Sequence, residues 1–90
     1  MEWTIKPYPG YYGAFTKDQA PGAFPNGSRI VKHAVEEGDG TLLGHRGTVL
    51  GSMLEPEVSP FIFYFVEWDT RPRAAVCVVS WKIALLNESG

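Results

Sequence analysis

The residues that could do chemistry in this chain are a single cysteine, two histidines and one acidic segment. Cys77 lies in an apolar run between Val76 and Val78, where a free thiol most often acts as a small hydrophobic side chain. His33 and His45 belong to different segments and lack the H-x-x-x-H and H-E-x-x-H spacings of metal-binding motifs. The sequence therefore predicts no nucleophile–base pair, and we expect no intrinsic catalysis.

The acidic segment is the glycine-rich stretch 36–40, Glu-Glu-Gly-Asp-Gly. It weakly resembles a calcium-binding loop, but the later bidentate glutamate and the full set of oxygen ligands are missing. Gly38, Gly40 and Gly44 fit neither a P-loop nor a dinucleotide-binding motif, because the required spacing and the following helix are absent. We interpret the segment as a solvated loop and expect no metal and no cofactor.

The overall composition narrows the class of protein. Ninety residues, of which 44% are hydrophobic and 20% charged, suit one small folded domain rather than a disordered chain. The net charge of −2 disfavours nucleic-acid binding, because domains with that function are usually basic. A single cysteine has no partner for an internal disulfide. We see neither a secretory signal nor the ~20-residue apolar run of a membrane helix, so we expect a cytoplasmic protein without membrane association.

Residues 1–26 have a composition of their own. They hold four of the seven prolines and six aromatic side chains. The prolines prevent a continuous helix or a central strand, whereas a disordered tail seldom carries so many aromatic residues. We predict an ordered, mostly irregular arm that lies across the rest of the domain, with a flexible tail as the alternative.

Short strands are predicted for the remainder of the chain. The predicted strands are 28–35, 46–54, 61–68, 74–80 and 84–87, with a 3₁₀ turn near 80–83. Asn26-Gly27 is a turn motif before the first strand, whose two faces are too similar in polarity to assign an orientation. Gly47 and Gly51 lie inside the second strand, where glycine usually marks a bulge, a bend or a close backbone approach.

The strand 61–68 is almost entirely aromatic or β-branched and has two distinct faces. Alternation places Ile62, Tyr64, Val66 and Trp68 on one face and Phe61, Phe63, Phe65 and Glu67 on the other. Because only the second face ends in a charge, we assign the first face to the core. Phe63 and Phe65 then look outward, where either the arm or another molecule must cover them.

Several short strands without a sustained 3.6-residue period predict an all-β fold that buries its core by curling into a small barrel. The motifs Gly44-x-x-Gly47-Thr48-Val49 and Tyr64-x-Val66-x-Trp68-Asp69 resemble those of SH3-like barrels over about residues 27–87. Similar families are the KOW, Tudor and Mind-bomb-type modules and the β-subunit barrel of nitrile hydratases. The resemblance implies a five-stranded SH3-like β-barrel at 27–90, preceded by the aromatic-rich arm at 1–26. Such barrels serve many binding functions, so the resemblance names no ligand.

Two surface features are candidates for binding. Arg71 and Arg73 flank the tip of a hairpin at 69–73 and either contact a partner or pair with nearby acidic residues. The outward aromatic face is the other feature, because aromatic and arginine side chains are common anchors of interfaces. The candidate binding residues are Phe63, Phe65, Arg46, Arg71, Arg73 and Lys82.

These features favour a non-catalytic binding or accessory module that contacts a protein partner through an aromatic and arginine surface. One alternative is RNA or DNA binding through the basic hairpin, although the segment 36–40 is acidic where KOW modules that bind nucleic acid are often basic. Another is a role as an accessory subunit of an enzyme. Self-association through the face of Phe63 and Phe65 stays open.

Overall fold

Five antiparallel strands form one sheet in the computed structural model, which describes residues 3–86. The strands are β1 (Arg29–Lys32), β2 (Arg46–Met53), β3 (Phe63–Trp68), β4 (Val76–Val79) and β5 (Ile83–Leu85), with a 3₁₀ turn at Ser80–Lys82. The all-β prediction, the number of strands and the 3₁₀ turn are confirmed, although most strands are shorter than predicted. Position 87, the end of the predicted closing strand, lies outside the described residues. Within 3–86 there is no helix long and apolar enough to cross a membrane.

The prediction of a closed barrel is wrong. The strands lie in the order β4-β3-β2-β1-β5, so β4 and β5 are the two edges of an open sheet and do not pair with each other. These edge strands have only four and three residues. A cleft runs along β4, and its lining includes the segment 38–41 and Lys82, the residue just before β5. The chain between β1 and β2 therefore lies close to the edge that barrel closure would have covered.

The main core lies on the face of β3 that the sequence assigned to it. Tyr64, Val66 and Trp68 are buried there, and Ile62 packs partly against them. The other buried members of this core are Ile30, Val49, Val78 and Ile83. The predicted alternation of β3 is therefore confirmed, and the orientation of β1, which the sequence left open, is set by the inward-pointing Ile30 and Lys32.

The glycines of β2 allow close packing on both faces of the sheet. A Cβ atom at Gly47 would lie 2.7 Å from Val66 Cγ1 and 3.0 Å from Trp68 Cε3, so glycine lets the core side chains approach the backbone. The β2–β3 register shifts between Val49 and Gly51, as in a β-bulge. The shift turns Gly51 to the face opposite the core, where it pairs with Phe65.

The arm covers the outward face at Phe65. A Cβ atom at Gly51 would overlap the carbonyl oxygen of Thr16 and lie 3.1 Å from Lys17 Cα, so the arm backbone lies directly on Gly51. Cross-strand partners project to the same face, which places Phe65 beside this contact. Phe65 is only 6% exposed, and Phe63 is half-buried. Of the two covers that the sequence leaves open for Phe65, the structure shows the arm, so the ring of this candidate binding residue is not an outward surface.

Beyond Thr16, the arm turns around β2 onto the core face. Ser52 donates its N–H to the carbonyl of Asp18 at 2.9 Å, and the hydroxyl of Ser52 accepts from the Ala20 N–H at 2.9 Å. The Phe24 N–H donates to the Tyr64 hydroxyl at 2.9 Å, and the two rings stack with their centroids 5.3 Å apart. The two bonds of Ser52 occupy the part of β2 that the short strand β1 leaves unpaired.

Candidate functional site

A cleft of about 360 Å³ lies along the open edge of β4. All of Val76–Val79 forms one wall, and the segment 38–41 forms another. Lys32, at the end of β1, and Lys82 bring two ammonium groups to the lining. Phe63 and Trp68 add apolar surface. The cleft therefore combines apolar surface on the side of β3 and β4 with polar and charged groups on the side of the segment 38–41, a combination that occurs in binding sites.

The backbone of β4 also contributes to this cleft. Ser80 donates its N–H to the carbonyl of Ile62 at 2.9 Å, which continues the β3–β4 ladder. Bonded and non-bonded pairs alternate in an antiparallel ladder, so the even-numbered residues of β4 bond to β3, and Cys77 and Val79 direct their N–H groups to the open edge. Within residues 3–86, no carbonyl from a loop or from the arm accepts from either of these N–H groups.

The arm already pairs with the beginning of this edge. Tyr12 donates its N–H to the carbonyl of Arg73 at 2.6 Å and accepts at 3.0 Å from the N–H of Ala75. Tyr12 thereby forms a short parallel bridge just before β4. The open part of the edge is the next stretch, which contains Cys77 and Val79.

One carboxylate joins the charged residues of the cleft. Lys82 Nζ lies 3.0 Å from both carboxylate oxygens of Asp39, and Lys32 Nζ lies 3.4 Å from one of them. The Lys32 side chain is only 4% exposed, and its Nζ lies 5.9 Å from the centroid of the Trp68 ring. Glu36 approaches Lys82 Nζ to 3.6 Å from a more exposed position. Asp39 thus fixes the segment 36–41 to the sheet.

These contacts shift the pKa values of Asp39 and Lys82. The N–H of Glu36 donates to Asp39 and, together with the hydrogen bond from Lys82, lowers the pKa of Asp39 from 3.8 to about 2. The hydrogen bond to Asp39 raises the pKa of Lys82 above 10.5. Both shifts favour the charged forms, so the pair is ionised across the physiological pH range.

The ionised pair makes stability depend on pH in a defined window. The contribution of Asp39 to folding stability is complete above pH 3.8 and is lost as the pH falls through its pKa of about 2. The contribution of Lys82 is complete below pH 10.5 and is lost as the pH rises through its raised pKa. We expect the Asp39 carboxyl carbon to titrate near pH 2 by NMR, and Lys82→Met to move that midpoint up. Lys17→Met is the control, because Lys17 does not contact Asp39. A wild-type midpoint near 3.8 would contradict the contact.

The cleft brings together half of the six predicted site residues. Phe63 and Lys82 line it directly. A Cβ atom at Gly40, a lining residue, would lie 3.5 Å from a guanidinium nitrogen of Arg71, so Arg71 stands at the rim. Arg71 is exposed, and no ion pair to it is found within 3–86.

The other three predicted residues lie elsewhere. Phe65 is buried under the arm. Arg73, at φ 67°, lines a smaller cleft of about 210 Å³ beside the arm, and its backbone N–H donates to Glu67. Arg46 lies near Asp69 and helps to lower the pKa of that carboxyl, although the main cause is the hydrogen bond from Arg29. The six residues therefore do not form one continuous aromatic and arginine surface.

Sequence reasoning missed Lys32 and Asp39. The sequence predicts a solvated loop for Asp39 and gives no orientation for Lys32. The alternation of β1 places Lys32 on the same face as Ile30, so Lys32 points inward once the burial of Ile30 is known. A lysine on a core face needs a nearby carboxylate, and Asp39 follows it across one short turn.

The titratable side chains that line the cleft are Lys32, Asp39, Cys77 and Lys82. Cys77 is exposed, and partial burial of its thiol raises its pKa, which lowers the thiolate fraction. In the described part of the chain, no three His, Cys, Asp or Glu side chains are grouped closely enough to hold a metal ion. Comparison with protein-family models, with curated proteins and with solved structures finds no match for the chain. The geometry of the cleft is therefore the basis on which a function is proposed.

Proposed function

We propose that the chain is a non-catalytic binding module that takes an extended segment of a protein partner along the open edge of β4. The observation that chiefly supports this function is the pair of edge-facing N–H groups at Cys77 and Val79, beside a cleft that offers both apolar and charged surface. An exposed strand edge is a template for another strand, and peptide recognition by strand addition uses such an edge with adjacent side-chain pockets.

The contact made by the arm also supports strand addition. Tyr12 hydrogen-bonds to Arg73 and Ala75 on the same edge. The backbone before β4 is therefore suitably placed for pairing with an extended chain. The arm leaves the edge after one bridge, so a partner segment has the remaining positions available.

The SH3-like class, the cellular location and the alternative functions that the sequence predicts are likewise proposals. The SH3-like class is supported by the fact that both resembling motifs fall on neighbouring strands, β2 and β3. A cytoplasmic location and a role as an accessory enzyme subunit remain proposals that rest on sequence alone. Nucleic-acid binding receives less support, because Lys82 is paired with Asp39, and Arg46 and Arg73 lie away from the cleft.

Amide hydrogen exchange tests the position of the partner. Peptides would be selected from a random display library on the immobilised chain and then added to the labelled protein. We expect exchange at the Cys77 and Val79 amides to slow by at least about tenfold, because each gains a hydrogen bond. The Val78 amide, which already bonds to β3, is the internal reference. Failure to select any binding peptide would contradict the proposed function.

A pair of substitutions at one position separates the backbone from the side chain. Cys77→Pro removes the edge-facing N–H without removing a bond to β3, and proline is tolerated on edge strands in this orientation. We expect it to weaken peptide binding about tenfold, with a circular dichroism spectrum like that of the wild type. The control Cys77→Val retains the N–H and should bind normally. Equal binding by both variants would argue against strand addition at β4.

A further inference from the structure

The charges that line the cleft do not balance. Its lining contains two lysines, Lys32 and Lys82, and one carboxylate, Asp39. Arg71 adds a further positive charge at the rim beside Gly40. Glu36 is the additional acidic contact, but its side chain is 58% exposed, so solvent screens it more strongly. The accessible side of the cleft therefore favours a negative group.

Asp39 occupies the position where such a negative group would bind. Its carboxylate contacts both lysines, yet it belongs to a turn rather than to a strand, and the N–H of Glu36 holds it at 2.9 Å. The same turn contains Gly38 at φ 92°. A carboxylate on a short loop can be displaced from Lys82 without breaking the sheet. Asp39 thus resembles a ligand group supplied by the chain itself.

The cations Lys82 and Arg71 lie near consecutive residues of the turn. Asp39 contacts Lys82, and the next residue, Gly40, lies beside the guanidinium of Arg71. Consecutive residues are about 3.8 Å apart, so Lys82 and Arg71 lie on neighbouring parts of the same rim. The N–H groups of Cys77 and Val79 belong to the adjacent wall, and their two-residue spacing along an edge strand matches the carbonyls of an extended peptide.

We propose that the cleft selects an extended peptide with an acidic side chain, which replaces Asp39 at Lys82 and also pairs with Arg71. This inference rests on the proposed function, because the backbone of the same peptide pairs with β4. Asp39 then acts as an internal competitor: it neutralises the lysines in the free protein and lowers the affinity for weak acidic ligands. Neutral peptides cannot displace it and gain only the backbone contacts.

Selection from a random peptide display library on the folded chain tests the chemistry of the ligand. We expect the selected peptides to share an Asp or Glu at one fixed position among strand-forming residues. Changing that residue to Gln or Asn in a synthetic copy should weaken binding about tenfold, as should Lys82→Met. Lys17→Met is the matched control, because Lys17 does not line the cleft, and it should bind like the wild type.

Asp39→Asn distinguishes competition from a structural role. Asparagine keeps an acceptor for the Glu36 N–H but removes the competing charge, so we expect acidic peptides to bind about threefold to tenfold more tightly. Weaker binding would overturn the role of Asp39 as a competitor. Selected peptides without a shared acidic residue that still protect the Cys77 and Val79 amides would overturn this inference and leave the proposed function intact. Selection of no peptide, or binding by RNA alone, would contradict both.

Discussion

Gly51→Ala should lower the free energy of unfolding by about 3 kcal/mol, because the added methyl group cannot fit beneath the arm. Its Cβ atom would overlap the carbonyl oxygen of Thr16 and lie 2.7 Å from the carbonyl carbon. These are backbone atoms that cannot rotate away, and Thr16 is fully buried. The arm must lift, which exposes the ring of Phe65. In a domain of this size the melting temperature should fall by roughly 15 °C.

Gly40→Ala is the matched control for this substitution. A Cβ atom at Gly40 makes an ordinary contact at 3.5 Å with a flexible guanidinium group, and its φ lies outside the left-handed region. We expect a change in the free energy of unfolding of less than about 0.5 kcal/mol. Chemical denaturation followed by tryptophan fluorescence measures both variants. Equal stability of Gly51→Ala and Gly40→Ala would mean that the arm does not rest on β2 in solution.

Strand β3 was predictable because several kinds of local information agree there. Tyr64, Val66 and Trp68 alternate with a face that ends in a charge, so the core face followed from the two-residue period together with that charge. The glycines of β2 predict a bulge, a bend or a close backbone approach, and the structure shows close approach at Gly47 and Gly51 and a register shift between Val49 and Gly51. The identity of each neighbour was not predictable, because the contact of Gly51 with Thr16 joins segments that are far apart in sequence.

The open edge and the site beside it were not predictable in the same way. A small antiparallel sheet with a buried face was expected to close, but closure depends on the lengths of the edge strands and on what lies between them. Here Asp39 ties the segment 36–41 to Lys82, a contact between residues 43 apart in sequence. Sequence patterns report the face of a strand, whereas long-range ion pairs depend on the assembled fold. The site residues Phe63 and Lys82 were therefore identified separately, without the cleft that unites them.

Trp68→Ala should cost about 4 kcal/mol, the largest expected loss from any single side chain in the core. The ring is 1% exposed and lies among Ile30, Val66 and the close backbone of Gly47. Alanine would leave a large cavity in a domain whose total stability is expected to be about 5–13 kcal/mol. Thermal and urea unfolding should therefore show a variant that still folds, with about 1–9 kcal/mol of stability left and a clearly lower melting temperature.

Trp81→Ala is the control, because that ring is 41% exposed in the 3₁₀ turn and lies 5.4 Å from Lys82 Nζ. It should cost less than about 1 kcal/mol. Trp68→Phe separates volume from polarity: within residues 3–86 the buried Nε1–H of Trp68 has no hydrogen-bond partner, so phenylalanine loses packing but no polar contact. The loss of folding stability in Trp68→Phe should therefore lie between the losses in Trp81→Ala and Trp68→Ala. The contradicting result would be a tolerated Trp68→Ala together with a damaging Trp81→Ala. The faces of β3 would then be reversed, and Lys32 and the cleft would no longer lie beside a buried tryptophan.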